Sequence, residues 1–587
     1  MAPRNPFQGH ARKLVLAFDV GTTYSGVSYC ILDPGEIPEI HGVTRYPAQE
    51  YIEGDNKIPS ILYYDQEYTV RAIGAEALQE HIIEQAQDEN WIKVVWWKLH
   101  LRPKHLLSSH IRDDDIPPLP EGLSAVQVLS DFMKYLFNCA QNFIVESHAS
   151  GASMWKSLEN QIEFVLTHPN GWEGPQQQQI RQAAELAGLV PSGEKGKLQL
   201  HLLTEGEASL HFCMMTTLDS GTKYEDYQSV AVIDAGGGTI DVSTYCVASS
   251  PGSVLSVKEI SPAAINLQGS IFVTLRAQQF LQNKLANSPY GAPEVVEQMA
   301  NIFDKTTKLR FRNAGDPQYI KFGTIRDKDP ENDIRAGQLK IPGDEVAKFF
   351  EPSIEAIVEV FDEQQKAACM PIGHAFLVGG YAANDFLFTR LKLHPKFSHV
   401  TLCRPPNRPN KAVADGAISY NIDHLVTTRV AKLTYGIHCT WMFDSSQSDH
   451  VSRKDTLFRE LDGSWRLPNA FSSILKKGTQ VSEQQEFRHS FFQLRESATD
   501  CASICTTLVV YRGMLHAPCW KDIEPSAFMP NCRILADTSA AAAALLPKKS
   551  PEGKTYYHID FDVILLFGLT ELKAQISWLE NVCTSLF

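Results

Sequence analysis

At 587 residues, with 43% hydrophobic and 21% charged side chains, the chain has ordinary globular composition and exceeds the size at which one core stops growing, so two or more domains are expected. A net charge of -14 argues against a general nucleic-acid or anionic-membrane binder, since both need a positive field. Twelve scattered cysteines with no zinc-spaced cluster, no apolar run near the roughly 20 residues that span a bilayer, and an N-terminus leading into a strand without a signal-peptide core predict reduced thiols in a cytoplasmic protein, with the nucleus not excluded.

The first informative stretch is "AFDVGTTYSG", residues 17 to 26: an apolar strand ending near a lone carboxylate, Asp19, then a turn of small residues, Gly21, Thr22 and Thr23. Further on, "IEFVLTHPNGWEGPQQQQIRQAAELAGL" predicts a strand ending at Thr167-His168-Pro169 and a helix capped near Gly188. "SGEKGKL", 192 to 198, has the wrong glycine spacing for a P-loop and is read as a solvated loop. "LLTEGEASLHF" places Glu205 between a short strand and a helix, where a carboxylate commonly sits for helix-dipole reasons alone.

"SVAVIDAGGGTIDVSTYCV", 229 to 247, then repeats the opening pattern, with Asp234 after an apolar strand and Gly236, Gly237, Gly238 and Thr239 in the turn. A separation of some two hundred positions suits a duplicated domain and so two lobes. In both copies small turn residues let backbone N–H groups approach an anion. A bare carboxylate beside a phosphate is repulsive, so an aspartate in each cradle makes sense if Mg²⁺ with its bound waters lies between them. "HAFLVGGYAANDFLFTRL", 374 to 391, adds a strand, a Gly379-Gly380 turn and a helix with Phe386, Leu387 and Leu391 on its apolar side.

From about residue 430 the texture changes. "YYHIDFDV" alternates Tyr557, Ile559, Phe561 and Val563 with polar residues, and "ELKAQISW" does the same with Leu572, Ala574, Ile576 and Trp578. With "TTLVVYRG" and "SILKKGTQV" these predict a β-sandwich-like domain, and the stretch 540 to 555 reads as a helix turn and loop inserted into it.

The ordered set "FDVGTTYS", "LTEGEAS", "IDAGGGTIDVS", "FLVGGYAAN" and "AVADGA" (412 to 417) resembles the ATPase domain of the heat-shock 70 kDa protein family, of the actin-like ATPase superfamily, and most of all its divergent, lidless fungal and animal relatives. The resemblance implies an α/β, two-lobed actin-like ATPase fold made of duplicated ribonuclease H-like domains. On this reading 13–228 is lobe I, 229–428 is lobe II, and 429–587 is a β-rich substrate-binding-like domain without a helical lid. It implies that Asp19, Gly21, Thr22 and Thr23 form one phosphate loop and Asp234, Gly236, Gly237, Gly238 and Thr239 the other. Gly379 and Gly380 would hold the adenosine, and Lys308 in "FDKTTKLRF" would lie on the adenine side. Glu205 becomes a catalytic carboxylate acting with Asp234, Thr239 would meet the γ-phosphate, and Asp19, Asp234 and Asp241 would hold the Mg²⁺ through water. The γ-phosphate lysine of the family falls on Lys98 in "VVWWKLHL", with Lys93 as competitor.

The function implied is an ATP-binding, slowly ATP-hydrolysing, Mg²⁺-dependent chaperone-like protein that takes ATP/ADP and extended peptide segments and works with co-chaperones, without nucleic acid or membrane. A nucleotide-binding interaction protein that hydrolyses little or nothing is the alternative, and a small-molecule kinase of the same superfamily is the third reading. The family's leucine-rich linker is replaced by "NIDHLVTTRV", so weak coupling between nucleotide and peptide is expected.

Overall fold

The computed structural model describes residues 4–50, 57–104, 115–219, 228–248, 255–368, 370–405, 409–568, 571–580 and 583–586. The chain divides into two compact units, Met1–Val426 and Thr427–Phe587.

The first unit repeats one sheet topology. In lobe I the strands Lys13–Val20 and Tyr24–Leu32 form an antiparallel hairpin, Asp19 opposite Gly26, and Ile162–His168 then Leu200–Thr204 add in parallel beside Lys13–Val20. In lobe II the hairpin is Ser229–Ala235 with Ile240–Ala248, Asp234 opposite Asp241, and His374–Val378 then Thr401–Cys403 add in parallel beside Ser229–Ala235. These strands are buried almost throughout, which is why they read as continuous apolar runs rather than alternating ones.

Each sheet is covered by a long helix. In Ala125–Ser147, Val128, Phe132, Leu136, Ala140 and Ile144 recur at helical spacing into a core with Leu16 and Phe18, and the Ser124 side chain caps the start by accepting the Gln127 N–H. In Gly343–Ala367, Val346, Phe350, Ile354, Ile357 and Phe361 pack with Ile233, Val242 and Leu377. A second pair of helices, Glu205–Asp219 and Ala412–Asp423, crosses closely: a Cβ at Gly416 would stand 1.8 Å from the Ala208 carbonyl oxygen. That contact accounts for the glycine in "AVADGA". Just beyond it, Leu425 and Val426 are buried in lobe II with Val230 and Val257, and the Leu425 carbonyl accepts the Val257 N–H at 2.8 Å.

One expectation is corrected here. "SGEKGKL" is not a loop, since Glu194–Gln199 is a short helix, begun by Gly193 at φ +86°. Gly196 is buried there, and any Cβ would stand 1.8 Å from the Pro191 carbonyl oxygen. The glycine serves close packing, a role its spacing alone did not reveal.

The second unit is built from two antiparallel sheets. One orders Phe458–Arg459, Trp465–Leu475, Thr434–Met442, Ser503–Tyr511 and Phe528–Asp537; the other orders Glu486–Arg495, Thr555–Gly568, Glu571–Glu580 and Cys583–Leu586. Ile437, Ile504, Leu508 and Val510 of the first sheet share a core with Ile559, Phe561, Val563, Ile576 and Trp578 of the second, on the faces that the alternation predicts. The inserted stretch forms a helical turn, Ser539–Ala543, and also a short strand, Lys548–Lys549, paired with Thr555 and Tyr556.

Candidate functional site

The first turn is braced from below. Gly21 donates its N–H to the Ser25 hydroxyl at 3.1 Å, and that hydroxyl lies 2.8 Å from the Ser60 hydroxyl, which donates to the Gly21 carbonyl at 2.9 Å. Ser60 also donates its N–H to the Thr23 carbonyl at 2.8 Å. Ser60 follows the strand Ile58–Pro59, which pairs with Tyr24 and Ser25, so the residue entering that strand, Lys57, is delivered to the turn. Its Nζ stands 2.6 Å from Asp19 Oδ2, with both side chains largely buried.

The second turn faces the first. A Cβ at Gly237 would lie 2.4 Å from the Thr23 hydroxyl oxygen and one at Gly238 2.5 Å from that of Thr22, so the two loops meet only because these residues are glycine. The helix Ser270–Lys284 takes the loop carbonyls: Ser270 and Ile271 donate their N–H groups to Gly236 and Gly237 at 3.1 and 3.0 Å. Among the described residues the N–H groups of Thr22, Thr23, Gly237 and Gly238 have no protein acceptor. Main-chain donors gathered from two loops around one cleft, without partners, fit an anion rich in oxygen.

Three carboxylates and two lysines surround that cradle. Glu205, first residue of its helix, accepts from Lys98 Nζ at 2.6 Å, and the ammonium also lies 5.5 Å from the Trp172 ring centre. Lys98 is held in the short helical turn Trp97–Leu101, which starts from Trp96 at φ 54° and is anchored by the Trp97 indole N–H on the Ser60 carbonyl at 3.1 Å. Asp234 accepts only a hydroxyl, that of Ser209 at 2.9 Å, among the described residues. Burial, then the charge of Glu205, pushes its carboxyl up to about 7. Burial likewise raises Glu205, against the pull of Lys98. Lys57 is raised as well: burial opposes its charge, and the carboxylates of Asp19, Asp234 and Glu205 outweigh that.

The other end of the cleft is more open. Gly379 has φ +92°, and a Cβ there would stand 2.4 Å from both the Ala235 carbonyl and Asp234 Oδ1, whereas one at Gly380 would meet nothing within 4 Å. Lys308 follows a wide turn, Phe303–Thr307, with i to i+5 hydrogen bonding, and its Nζ lies 3.2 Å from the Thr274 hydroxyl and in an ion pair with Asp304. Asn384 donates to the Lys308 carbonyl at 2.8 Å while capping the helix Asp385–Leu393.

A cavity of about 740 Å³ joins these parts. It is lined by Asp19, Gly21, Thr22, Thr23, Lys98, Glu205, Asp234, Gly236, Gly237, Gly238, Thr239, Lys308, Gly379 and Gly380, so it gathers every residue picked out from sequence save one. Asp241 is set back from the cavity wall, accepting the Asn170 N–H at 2.6 Å, and burial raises its carboxyl well above the usual range. Of the two competing lysines, Lys98 lines the cavity; Lys93, in the strand Ile92–Val94, does not.

Sequence reasoning missed Lys57, Ser209 and Asp304. Asp304 had a readable signal, four residues before Lys308 on one helical face. Lys57 had none, because only the pairing of Ser25 with Ile58 brings it to the turn. Among the described residues no three His, Cys, Asp or Glu side chains stand close enough to chelate an ion directly. The donor set therefore suits a hard cation held through its own waters and through phosphate oxygens, as Mg²⁺ commonly is.

No family model matches the chain. It is 21% identical to Heat shock 70 kDa protein 12A of Mus musculus over 501 residues, covering 72% of each chain, and the Homo sapiens form gives the same figures. Heat shock 70 kDa protein 12B of Homo sapiens is 21% identical over 505 residues, covering 72% of this chain and 71% of its own. The chain is thus similar to heat-shock 70 kDa-like proteins, and its doubled sheet topology with facing glycine turns is consistent with a two-lobed actin-like ATPase fold.

Proposed function

We propose that the first unit binds nucleoside di- and triphosphates with Mg²⁺ and hydrolyses ATP slowly, in a chaperone-like protein whose β-rich unit takes extended peptide segments. The observation that carries this reading is the group of four N–H groups, from Thr22, Thr23, Gly237 and Gly238, without partners among the described residues, at the meeting of two duplicated hairpins. They would hold phosphate oxygens from two sides, while Gly379 and Gly380 leave room for the nucleoside. The cation, when bound, neutralises phosphate charge. The Lys98 ammonium would offset charge at the terminal phosphate, the Thr239 hydroxyl would contact it, and the carboxylates of Glu205 and Asp234 would orient a water for attack. Nothing in this scheme needs a covalent intermediate.

A second reading has an observation of its own. Glu205 is committed to Lys98 at 2.6 Å, and a carboxylate that stays so engaged orients water poorly, which favours a nucleotide-binding interaction protein with little hydrolysis. Calorimetric titration with ATP, ADP and AMP in Mg²⁺ tests the shared part: ADP and ATP should bind far more tightly than AMP, and equal affinity for all three overturns the phosphate-loop reading. Single-turnover measurement of phosphate release then separates the two readings.

A further inference from the structure

The first phosphate turn differs from the second by a cation already in place. Lys57 Nζ stands 2.6 Å from Asp19 Oδ2, in the same cavity as the turn, and its side chain is only 15% exposed. Its main chain is held at the turn, and its ammonium by Asp19. The Lys57 carbonyl accepts the side-chain amide of Gln49 at 2.8 Å, and the next residues, Ile58, Pro59 and Ser60, are bonded to Ser25, Tyr24 and Thr23 of the turn itself. Among the described residues only one of its three N–H donors is taken, by Asp19. Two donors on a fixed ammonium remain beside main-chain N–H groups that also lack partners.

We propose that Lys57 is a built-in cation for the phosphates of the nucleotide, taking over part of the charge neutralisation that a divalent ion would otherwise supply and so setting how far binding depends on that ion. The proposal rests on the nucleotide reading above. An ammonium fixed on Asp19 removes the repulsion between that carboxylate and an entering phosphate, and its spare donors form charge-assisted hydrogen bonds with phosphate oxygens. The carboxylate of Asp234, with only a hydroxyl on it among the described residues, remains for the waters of a metal ion. The metal then strengthens binding without being required for it.

The test is equilibrium binding of a fluorescent ADP analogue, read by anisotropy, in Mg²⁺ and in EDTA. Wild type should weaken by less than about tenfold on passing from Mg²⁺ to EDTA, a difference of under ~1.4 kcal/mol. Lys57→Gln should weaken binding in EDTA by about tenfold or more and in Mg²⁺ by much less, while Lys57→Arg keeps the wild-type pattern. Because Lys57→Gln leaves Asp19 unpaired, the double variant Lys57→Gln/Asp19→Asn, neutral on both sides, checks that a loss is not one of folding; it should also become dependent on Mg²⁺. Unchanged affinity of folded Lys57→Gln in EDTA overturns the proposal, and so does tighter binding in Mg²⁺, which would mean that the lysine competes with the ion. Failure of wild type to bind the analogue in either medium overturns the nucleotide reading itself and this inference with it.

Discussion

Asp19 and Asp234 end the first strands of two hairpins with one topology, yet the first lies 2.6 Å from an ammonium and the second 2.9 Å from a hydroxyl. The hairpins themselves do not make this difference. Lys57 arrives with the strand Ile58–Pro59, and Ser209 with the helix Glu205–Asp219, neither of which is part of its hairpin. The duplicated scaffold thus sets where backbone donors face an anion, while the charge of each turn is set by whichever unrepeated segment packs beside it.

Neutralising the two aspartates is the sharpest way to break this comparison, because the effects on the ligand-free protein should have opposite signs. Asp19→Asn leaves the Lys57 ammonium without its partner in a largely buried place and should cost roughly 3 kcal/mol at all pH values from 5 to 8. Asp234 differs: its value in the folded chain, about 7, lies above its ordinary 3.8, so the folded chain holds the proton more tightly than the unfolded one. The stability from this group is complete below about pH 4 and is lost as pH rises towards 7. Asp234→Asn should therefore match wild type only below about pH 4, already exceed it at pH 5, and lead by up to about 4 kcal/mol near pH 8, at roughly 1.4 per pH unit crossed. Thermal melts across that range check both, and the same sign for both variants would mean that the turns are electrostatically alike.

The backbone cradle, which the turns share, can be tested without touching either carboxylate. Open space surrounds the missing Cβ of Gly380, so Gly380→Phe should keep the fold and fill the nucleoside end of the cleft. ADP affinity should fall by about a hundredfold, ~2.7 kcal/mol, with little change in the melting temperature of the free protein. Unaltered affinity would place the nucleoside elsewhere. Next in size is catalysis: Glu205→Gln should slow phosphate release on the order of tenfold or more while leaving ADP binding in place, since orientation and charge supply most of the rate in phosphoryl transfer. Turnover at the wild-type rate would exclude Glu205 from the reaction.

The legible parts of the molecule were those that local chemistry dictates. Glycines at 236 to 238 and at 379 announced close backbone approach, and the alternation from Tyr557 to Val563 announced a half-buried strand with Ile559, Phe561 and Val563 inside. Lys57 was illegible because its place depends on which strand pairs with Tyr24 and Ser25. Lys98 was half-legible: the resemblance pointed to it with Lys93 as competitor, and only the fold shows Trp97 turned into the core, with the Lys98 ammonium carried into the cleft. Gly196 misled in the other direction, since helix packing and a polar loop use the same residue.

The smallest expected effect concerns whether the state of the cleft is felt by a bound peptide at all. Coupling between distant sites needs an element with two arrangements whose balance both ligands shift. The residues that end the first unit offer little of this kind: Leu425 and Val426 are 3% and 2% exposed, packed with Val230 and Val257, and the Leu425 carbonyl is bonded to the Val257 N–H. Releasing two such side chains would cost about 1.5–3 kcal/mol each, and a bound nucleotide shifts that balance only by its difference in affinity for the two arrangements. Replacing ADP by ATP should therefore change the affinity of an extended apolar peptide by less than about tenfold, ~1.4 kcal/mol. Fluorescence anisotropy of a labelled peptide in each nucleotide measures it, with Asp19→Asn and Asp234→Asn compared alongside wild type. If all three proteins show the same small ratio, the contrast between the two turns stays within the cleft. A hundredfold ratio that disappears in one variant would identify the turn that signals, and would show that the segment around Leu425 moves despite its burial.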